Sequence, residues 1–492
     1  MKKTVLAFGL IFALLFSLFG CAAEPKERDP IQEYLDRKQP EDNTFVGFGK
    51  EEEITKDPLV ICMDLEFARE PDIEPSVILN DFLYTLDKSG GLTDVEIVYV
   101  PRHGPDRESQ LDRIRIEVMS GGGPDVFVMN TYGTMSSMDA IGTPLIQYPE
   151  QAMENGLFLP LDEYMENHTR FTDWDKQTAA ILAAGRNEEG QQVIPLTYTL
   201  PLLCFQKSDV DLDLTGKMYT WDDMLHDPEF SPYGRLMADC TTPHWEDEYG
   251  LGLVGDGFKY LEYALGRLAD FENEELAFTE EELLQRVEEI LEAYNAMSEA
   301  SESFEEGSQG EWAHYSEWLG AGLVSDESDM EYGIKHEEPL TMVPLYSDDG
   351  GVTASILSWA AVNRNTDKPE EAYLAIDMLL SDHVQTGYWL YEELLADNFY
   401  FGIPLHEDIL HPDQPLGRGY VWNLSEENYK EWCEVRSGIT DANFQSSVGI
   451  ELETLLENCI YGSRGVYGYE DFTTVEKEVH EAYEKMQRLV RE

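Results

Sequence analysis

The chain has 492 residues, with 34 Lys and Arg against 98 Asp and Glu and a formal net charge of −64 at pH 7. Phosphate binding needs a basic face, so this balance excludes a nucleic-acid partner. It fits a strongly solvated surface that repels its own copies, and hence a monomer; a cation-binding role is the alternative use of the same charge.

The N-terminus carries Lys2 and Lys3, an apolar run from Val5 to Phe19, and then Gly20-Cys21. Basic flank, apolar stretch, small residue and cysteine form the lipobox pattern of a bacterial lipoprotein signal. The run is about 15 residues, and spanning a bilayer takes about 20, so it reads as a cleaved signal over 1–20 rather than an anchor. Cys21 then becomes a lipidated N-terminus, with about 0.8 kcal/mol gained per buried CH₂ of acyl chain. A plain secretory signal with a chance cysteine is the alternative. No later segment reaches transmembrane length, which leaves the lipid as the membrane attachment on the extracytoplasmic face.

The remaining cysteines are Cys62, Cys204, Cys240, Cys433 and Cys459, with no CxxC pair and no zinc spacing. Cys62 and Cys204 lie in apolar, strand-like runs and read as buried thiols; whether Cys433 and Cys459 bridge is open. Residues 21–57 are rich in Glu, Asp, Lys and Pro and read as a flexible tether. Its roughly 36 residues span about 33 Å at 5–6 Å × √n. The residues that follow are too many for one core and suit two or three domains.

The folded part opens with alternating elements. Leu59 to Met63 is an apolar run of a buried strand, and Pro75 to Leu86 carries Val77, Ile78, Phe82 and Leu86 at helical spacing. Val95 to Val100 is a second strand, and Arg107 to Ser120 sets Leu111, Ile114, Val118 and Met119 on one helix face. Gly121-Gly122-Gly123-Pro124 stops that helix, and Asp125 to Met129 is a third strand. The order β-α-β-α-β predicts an α/β class with a mostly parallel sheet. Thr279-Glu280-Glu281-Glu282 is a capping box ahead of an amphipathic helix through Tyr294. Glu299 to Gly310 reads as a loop, and Thr473-Thr474-Val475-Glu476 starts a last helix through Val490.

Motifs of catalysis are missing: no G-x-S-x-G elbow, no H-E-x-x-H and no Walker loop. His406 and His411 stand five apart, the wrong spacing for one helix face. Asp209-Val210-Asp211-Leu212-Asp213 begins like a calcium loop, but Leu214 and Thr220 stand where glycine and glutamate belong. No catalytic residue, metal or cofactor is therefore expected.

Five stretches in order carry a likeness: Pro124-Asp125-Val126-Phe127; Glu154 to Asp162 (ENGLFLPLD); Glu189 to Leu196 running on to Phe205-Gln206-Lys207; Tyr219 to Leu225 (YTWDDML); and Ala360 to Asn363 with the segments Glu370 to Leu380 and Gly402-Ile403-Pro404. With these the chain resembles the family 1 extracellular solute-binding lipoproteins of bacterial ABC importers, relatives of maltose-binding protein. Phe205-Gln206-Lys207 replaces the family's Tyr-Asn-Lys, Met218-Tyr219 replaces its proline before Thr-Trp, and residues 229–275 have no counterpart. The resemblance implies a periplasmic-binding-protein-like type II fold. Two α/β lobes (58–198 with 350–415, and 199–345 with 416–492) would close by hinge crossings on a ligand cleft. It implies a lipid-anchored receptor that delivers a small solute, a carbohydrate, to the membrane subunits of an ABC permease without catalysis. A surface glycosidase, and the same fold serving a polyamine or peptide, are the alternatives.

A sugar cleft needs flat aromatic faces and planar polar groups, and the chain has nine Trp and 26 Tyr. Ligands meet residues just past the carboxyl ends of strands. That rule nominates Asp64, Glu66 and Phe67 after the first strand, and Asn130, Thr131 and Tyr132 after the third. Tyr198 and Trp359 sit at the expected lobe crossings, and Trp245 lies in the unmatched insertion. For the aromatics the competing role is core packing, and Trp221 reads as core.

Overall fold

A computed structural model describes residues 44–46, 57–64, 91–92, 94–100, 106–130, 144–206, 218–220, 260–271, 273–301, 340–347, 350–381, 403–406, 411–412, 424–444, 446–463 and 473–491. In chain order the elements used below begin with β1 (Thr44–Val46), β2 (Leu59–Asp64), β3 (Val95–Tyr99), α1 (Asp106–Met119) and β4 (Val126–Asn130). Next come β5 (Val193–Thr199), β6 (Leu202–Gln206), β7 (Tyr219–Thr220), α2 (Tyr260–Leu265) and α3 (Glu280–Ser301). They are followed by β8 (Leu340–Tyr346), β9 (Val352–Val362), α4 (Pro369–Leu379) and β10 (Ile403–Pro404). The last are α5 (Glu426–Ser437), β11 (Ile439–Phe444), α6 (Ser447–Ser463) and α7 (Val475–Leu489).

The strands expected at the start of the fold are there, and α1 ends in Gly121 and Gly123 at φ +82° and +91°, a region open mainly to glycine. The segment 75–86 lies outside the described residues. β2 pairs in parallel with β3 and β4. The large sheet as a whole is mixed, in the order β1-β3-β2-β4-β9-β5-β10 with β11 also on β9. It departs from the mostly parallel expectation because β9 enters from a distant part of the chain and lies antiparallel to both β4 and β5. A strand buried on both faces is largely apolar; β9 is buried at all eleven positions, and its buried Ser358 and Ser355 hydrogen-bond Thr197 and Glu262.

A second sheet has the order β6-β8-β7. Two stretches of chain connect the sheets: β5 to β6 through Leu200-Pro201, and β8 to β9, where the Ser347 N–H donates to the Gly351 carbonyl at 2.9 Å. They are tied where the Leu345 N–H donates to the Pro201 carbonyl at 2.8 Å. Gly351 is required by close approach, since a Cβ there would fall 1.6 Å from Thr440 Oγ1. A third passage runs from α5 through β11 to α6.

The described residues form two apolar cores. The first gathers β2–β5, β9, α4 and α5 around Phe127, Phe158, Trp359, Tyr373 and Trp432. The second gathers α2, α3, α6 and α7 with Val343 and Leu345 of β8. Trp432 and Val435 of α5 belong to the first core, although the sequence reading grouped residues from 416 onward with the second lobe. The capping box forms as expected: Thr279 Oγ1 accepts from the Glu282 N–H at 3.2 Å, and Glu282 Oε2 accepts from the Thr279 N–H at 2.8 Å. The Thr279 N–H and hydroxyl, each donating to Glu282 Oε2 at 2.8 Å, hold the Glu282 carboxyl below its usual range. No described helix is long and apolar enough to cross a membrane. Cys62 and Cys459 are buried free thiols and Cys433 is a half-buried one, so the open question of a Cys433–Cys459 bridge closes without one.

Candidate functional site

β4 and β11 lie on the same edge of β9, one behind the other. β4 runs antiparallel to β9 and ends with Asn130 opposite Ser358; β11 runs parallel and ends with Phe444 opposite Ile356. Their carboxyl ends therefore face each other across about one residue of β9. Such a meeting of carboxyl ends is where open α/β sheets place ligands.

Along β11, from Thr440 to Phe444, lies a cavity of about 420 Å³, within the 300–1,000 Å³ of small-molecule sites. Three parts of the chain wall it. The helices Pro149–Glu154 and Ala179–Ala183 with the hairpin after them bring Glu150, Glu154 and Arg186. The loop after α2 brings Arg267, Asp270 and Phe271, and β11 brings Asp441, Asn443 and Phe444. Tyr148 and Phe271 touch with ring centroids 5.6 Å apart, and Asn443 Nδ2 donates to the Gly266 carbonyl at 2.7 Å, so the three parts are joined at the wall.

Most of the charged groups have partners. Asp162 holds Arg186, Glu154 Oε1 accepts from Asn187 Nδ2 at 3.3 Å, and Asp270 Oδ1 accepts from the Asn273 N–H at 3.1 Å. Glu150 differs. Its side chain is half-buried, but Oε2 is shut from solvent and has no hydrogen-bond partner. Burial pushes its carboxyl up to about 7, against the pull of the backbone N–H groups of Glu150 and Phe444 and of the Arg267 charge.

The residues nominated from sequence fall in three groups. Asp64, Tyr198 and Trp359 are each 1% exposed. Asp64 closes the carboxyl end of β2 as a buried ion pair: Oδ1 accepts from Arg107 Nη1 at 2.9 Å, and Oδ2 accepts from Nη2 at 3.2 Å and from the Leu145 N–H at 2.8 Å. Tyr198 stands in β5 between Ile356 and Ile403. Trp359 packs edge-on to Phe158 at 5.9 Å and to Phe444 at 6.2 Å, so Phe444 stands between it and the cavity. Asn130 forms the β4 end described above. Glu66, Phe67, Thr131, Tyr132, Trp245, the stretch 209–213 and Cys21 lie outside the described residues, as does Trp221.

The sequence reading did not single out Glu150, Arg186, Arg267, Asp270, Asp441 or Phe444. Among 98 acids no spacing marks these out; their common address is tertiary. Among the described residues no group of three His, Cys, Asp or Glu side chains is set to hold a metal ion.

No curated protein matches the chain. Among solved structures it is similar to an extracellular solute-binding protein family 1 member from Alicyclobacillus acidocaldarius subsp. acidocaldarius DSM 446 (TM-score 0.51, 11% identity, covering 89% of this chain and 100% of that one). It is also similar to the cyclic alpha-maltosyl-1,6-maltose binding protein of Arthrobacter globiformis (TM-score 0.47, 14% identity, 88% and 99%). A sugar transporter protein of Arthrobacter chlorophenolicus A6 with bound laminaribiose matches comparably (TM-score 0.47, 13% identity, 88% and 99%). At such identities the first of these speaks for the fold alone. The profile of the bacterial extracellular solute-binding protein family matches residues 92–386, more than half of the chain. The chain belongs to that family.

Proposed function

We propose that this solute-binding protein captures a carbohydrate in the cavity along β11 and hands it unchanged to the membrane subunits of an ABC permease. The observation that carries the ligand class is the wall itself. Phe271 offers apolar ring surface, while Arg267 and the carboxylates of Glu154, Asp270 and Asp441 offer hydrogen-bonding groups of both kinds. Sugar rings ask for that mixture, with apolar faces and a rim of hydroxyls that both donate and accept. Asp64, Tyr198 and Trp359, each 1% exposed, serve as buried support rather than as contacts, and Asn130, Glu66, Tyr132 and Trp245 stay as further proposed ligand contacts. The two cores are the two lobes, with the sheet-to-sheet passages as the hinge on which they close. Residues 1–20 are the signal, Cys21 carries the lipid, and residues up to 57 tether the receptor to the outer face of the membrane. The carboxylates on the wall favour one second reading, a cationic solute such as a polyamine.

Calorimetry of the chain from residue 22 onward against an oligosaccharide panel and spermidine tests both. The expected result is saturable one-to-one binding of a sugar, with the sugar recovered intact. Tight binding of spermidine with no sugar bound would replace the carbohydrate reading with the cationic one. Steady multiple-turnover release of reducing ends would overturn the receptor altogether.

A further inference from the structure

Glu150 is the cavity group that solute binding leaves without a task. The charged groups around it come from every wall: Glu154 on its own helix, Arg186 from the hairpin, Arg267 and Asp270 from the loop after α2, and Asp441 from β11. Arg186, Glu154 and Asp270 have the partners given above, and Asp441 Oδ1 accepts from the Ala442 N–H at 2.9 Å. Arg267 is placed differently. Its Nε donates to the Ala269 carbonyl at 3.2 Å. Nη1 and Nη2 of this exposed side chain make no hydrogen bond to any described residue. A planar guanidinium fork with two free arms is suited to paired oxygens, whether of a carboxylate or of vicinal sugar hydroxyls.

We propose that Glu150 and Arg267 form a proton-operated clasp on this cavity. With Glu150 neutral the Arg267 fork is free to hydrogen-bond the solute; with Glu150 ionised the fork turns to the carboxylate and the solute is released. The orphaned Oε2 is the physical reason for two states. A neutral carboxyl tolerates that burial, whereas an ionised one demands a donor, and Arg267 is the cation on the wall whose Nη1 and Nη2 no described residue engages. The direction follows from the raised Glu150 value of about 7: solute is held more tightly below it and less tightly above. The clasp rests on this cavity being the solute site.

The test uses the full chain purified in detergent, as wild type, Glu150→Gln and Arg267→Gln. Without solute, infrared spectroscopy follows the protonated-carboxyl band over a pH titration. A band that persists to near neutral pH in wild type and is missing from Glu150→Gln is expected. Its midpoint should move upward in Arg267→Gln, because a cation that favours the carboxylate has been removed. With the best binder of an oligosaccharide panel headed by maltotriose, calorimetry then compares about pH 6 with about pH 8. Wild-type affinity should weaken by up to tenfold per pH unit above the midpoint, the limit for one linked proton, while Glu150→Gln stays flat. A Glu150 band that vanishes with the other carboxyls in acid, a midpoint indifferent to Arg267→Gln, or a wild-type affinity constant over the range would each overturn the clasp. Failure of every sugar to bind alongside a midpoint that moves as expected would strike the carbohydrate reading and support the Glu150–Arg267 pairing from which the clasp is built.

Discussion

Trp359 packs on Phe444 and Glu150 shares the cavity wall with it, and the two answer to different forces. Trp359 is 1% exposed and packs on Phe158 and Phe444, so truncating it leaves a void that its neighbours refill only in part. Trp359→Ala is expected to cost about 3–5 kcal/mol of stability, read as a shifted urea midpoint. Full stability with weakened sugar affinity would instead make Trp359 a direct ligand contact. For Glu150 the folded carboxyl titrates near 7 against a reference value of 4.5, so the folded state holds its proton more firmly than the unfolded one. The stability this contributes is complete below about pH 4.5 and is lost as pH rises through about 7. Wild type should therefore lose more melting temperature than Glu150→Gln between about pH 5 and about pH 8. Parallel profiles would place the carboxyl in water. Acidic residues are common in this chain, so the difference between the two proteins is the quantity to read.

At the scale of elements, helix starts were legible because their chemistry is local. Thr279 and Glu282 satisfy each other's N–H groups within one turn, and Thr474 does the same for the Lys477 N–H of α7 at 3.3 Å. Thr279→Ala is expected to cost about 1 kcal/mol, measured by chemical denaturation. An unchanged midpoint would show that packing of Leu283, Val287 and Ile290 in the second core holds α3 without its cap. Strand direction was less legible. The strands β2, β3 and β4 and the helix α1 were read correctly, but nothing near β9 in sequence says that it will enter the sheet between β4 and β5. That partner choice is made by long-range burial of an apolar strand, which has no local signature.

For the whole molecule, the proposed membrane attachment depends on one thiol. Cys21→Ser is expected to abolish labelling by a fatty acid and to leave the chain either uncleaved or released from the membrane; label retained on the variant would refute the lipobox reading. A charge of −64 adds long-range repulsion between copies, and a released chain is expected to run as a monomer by light scattering.

The sequence by itself determined the α/β class, the first strands and the capped helices, and it carried enough of the family pattern in Pro124–Phe127, Glu154–Asp162 and Tyr219–Leu225 to announce a solute receptor. These rest on periodicity, on capping within a turn and on short ordered motifs, all written within a few residues of one another. The tertiary structure alone decided that Asp64 is spent on Arg107, that Trp359 stands behind Phe444 rather than in the open, and that Glu150, Arg267 and Asp441 share one cavity. The last three are separated by more than a hundred residues at each step. They meet because Tyr148 packs on Phe271 and Asn443 of β11 donates to the Gly266 carbonyl, and a carboxylate becomes distinctive only when its surroundings withhold water and partners.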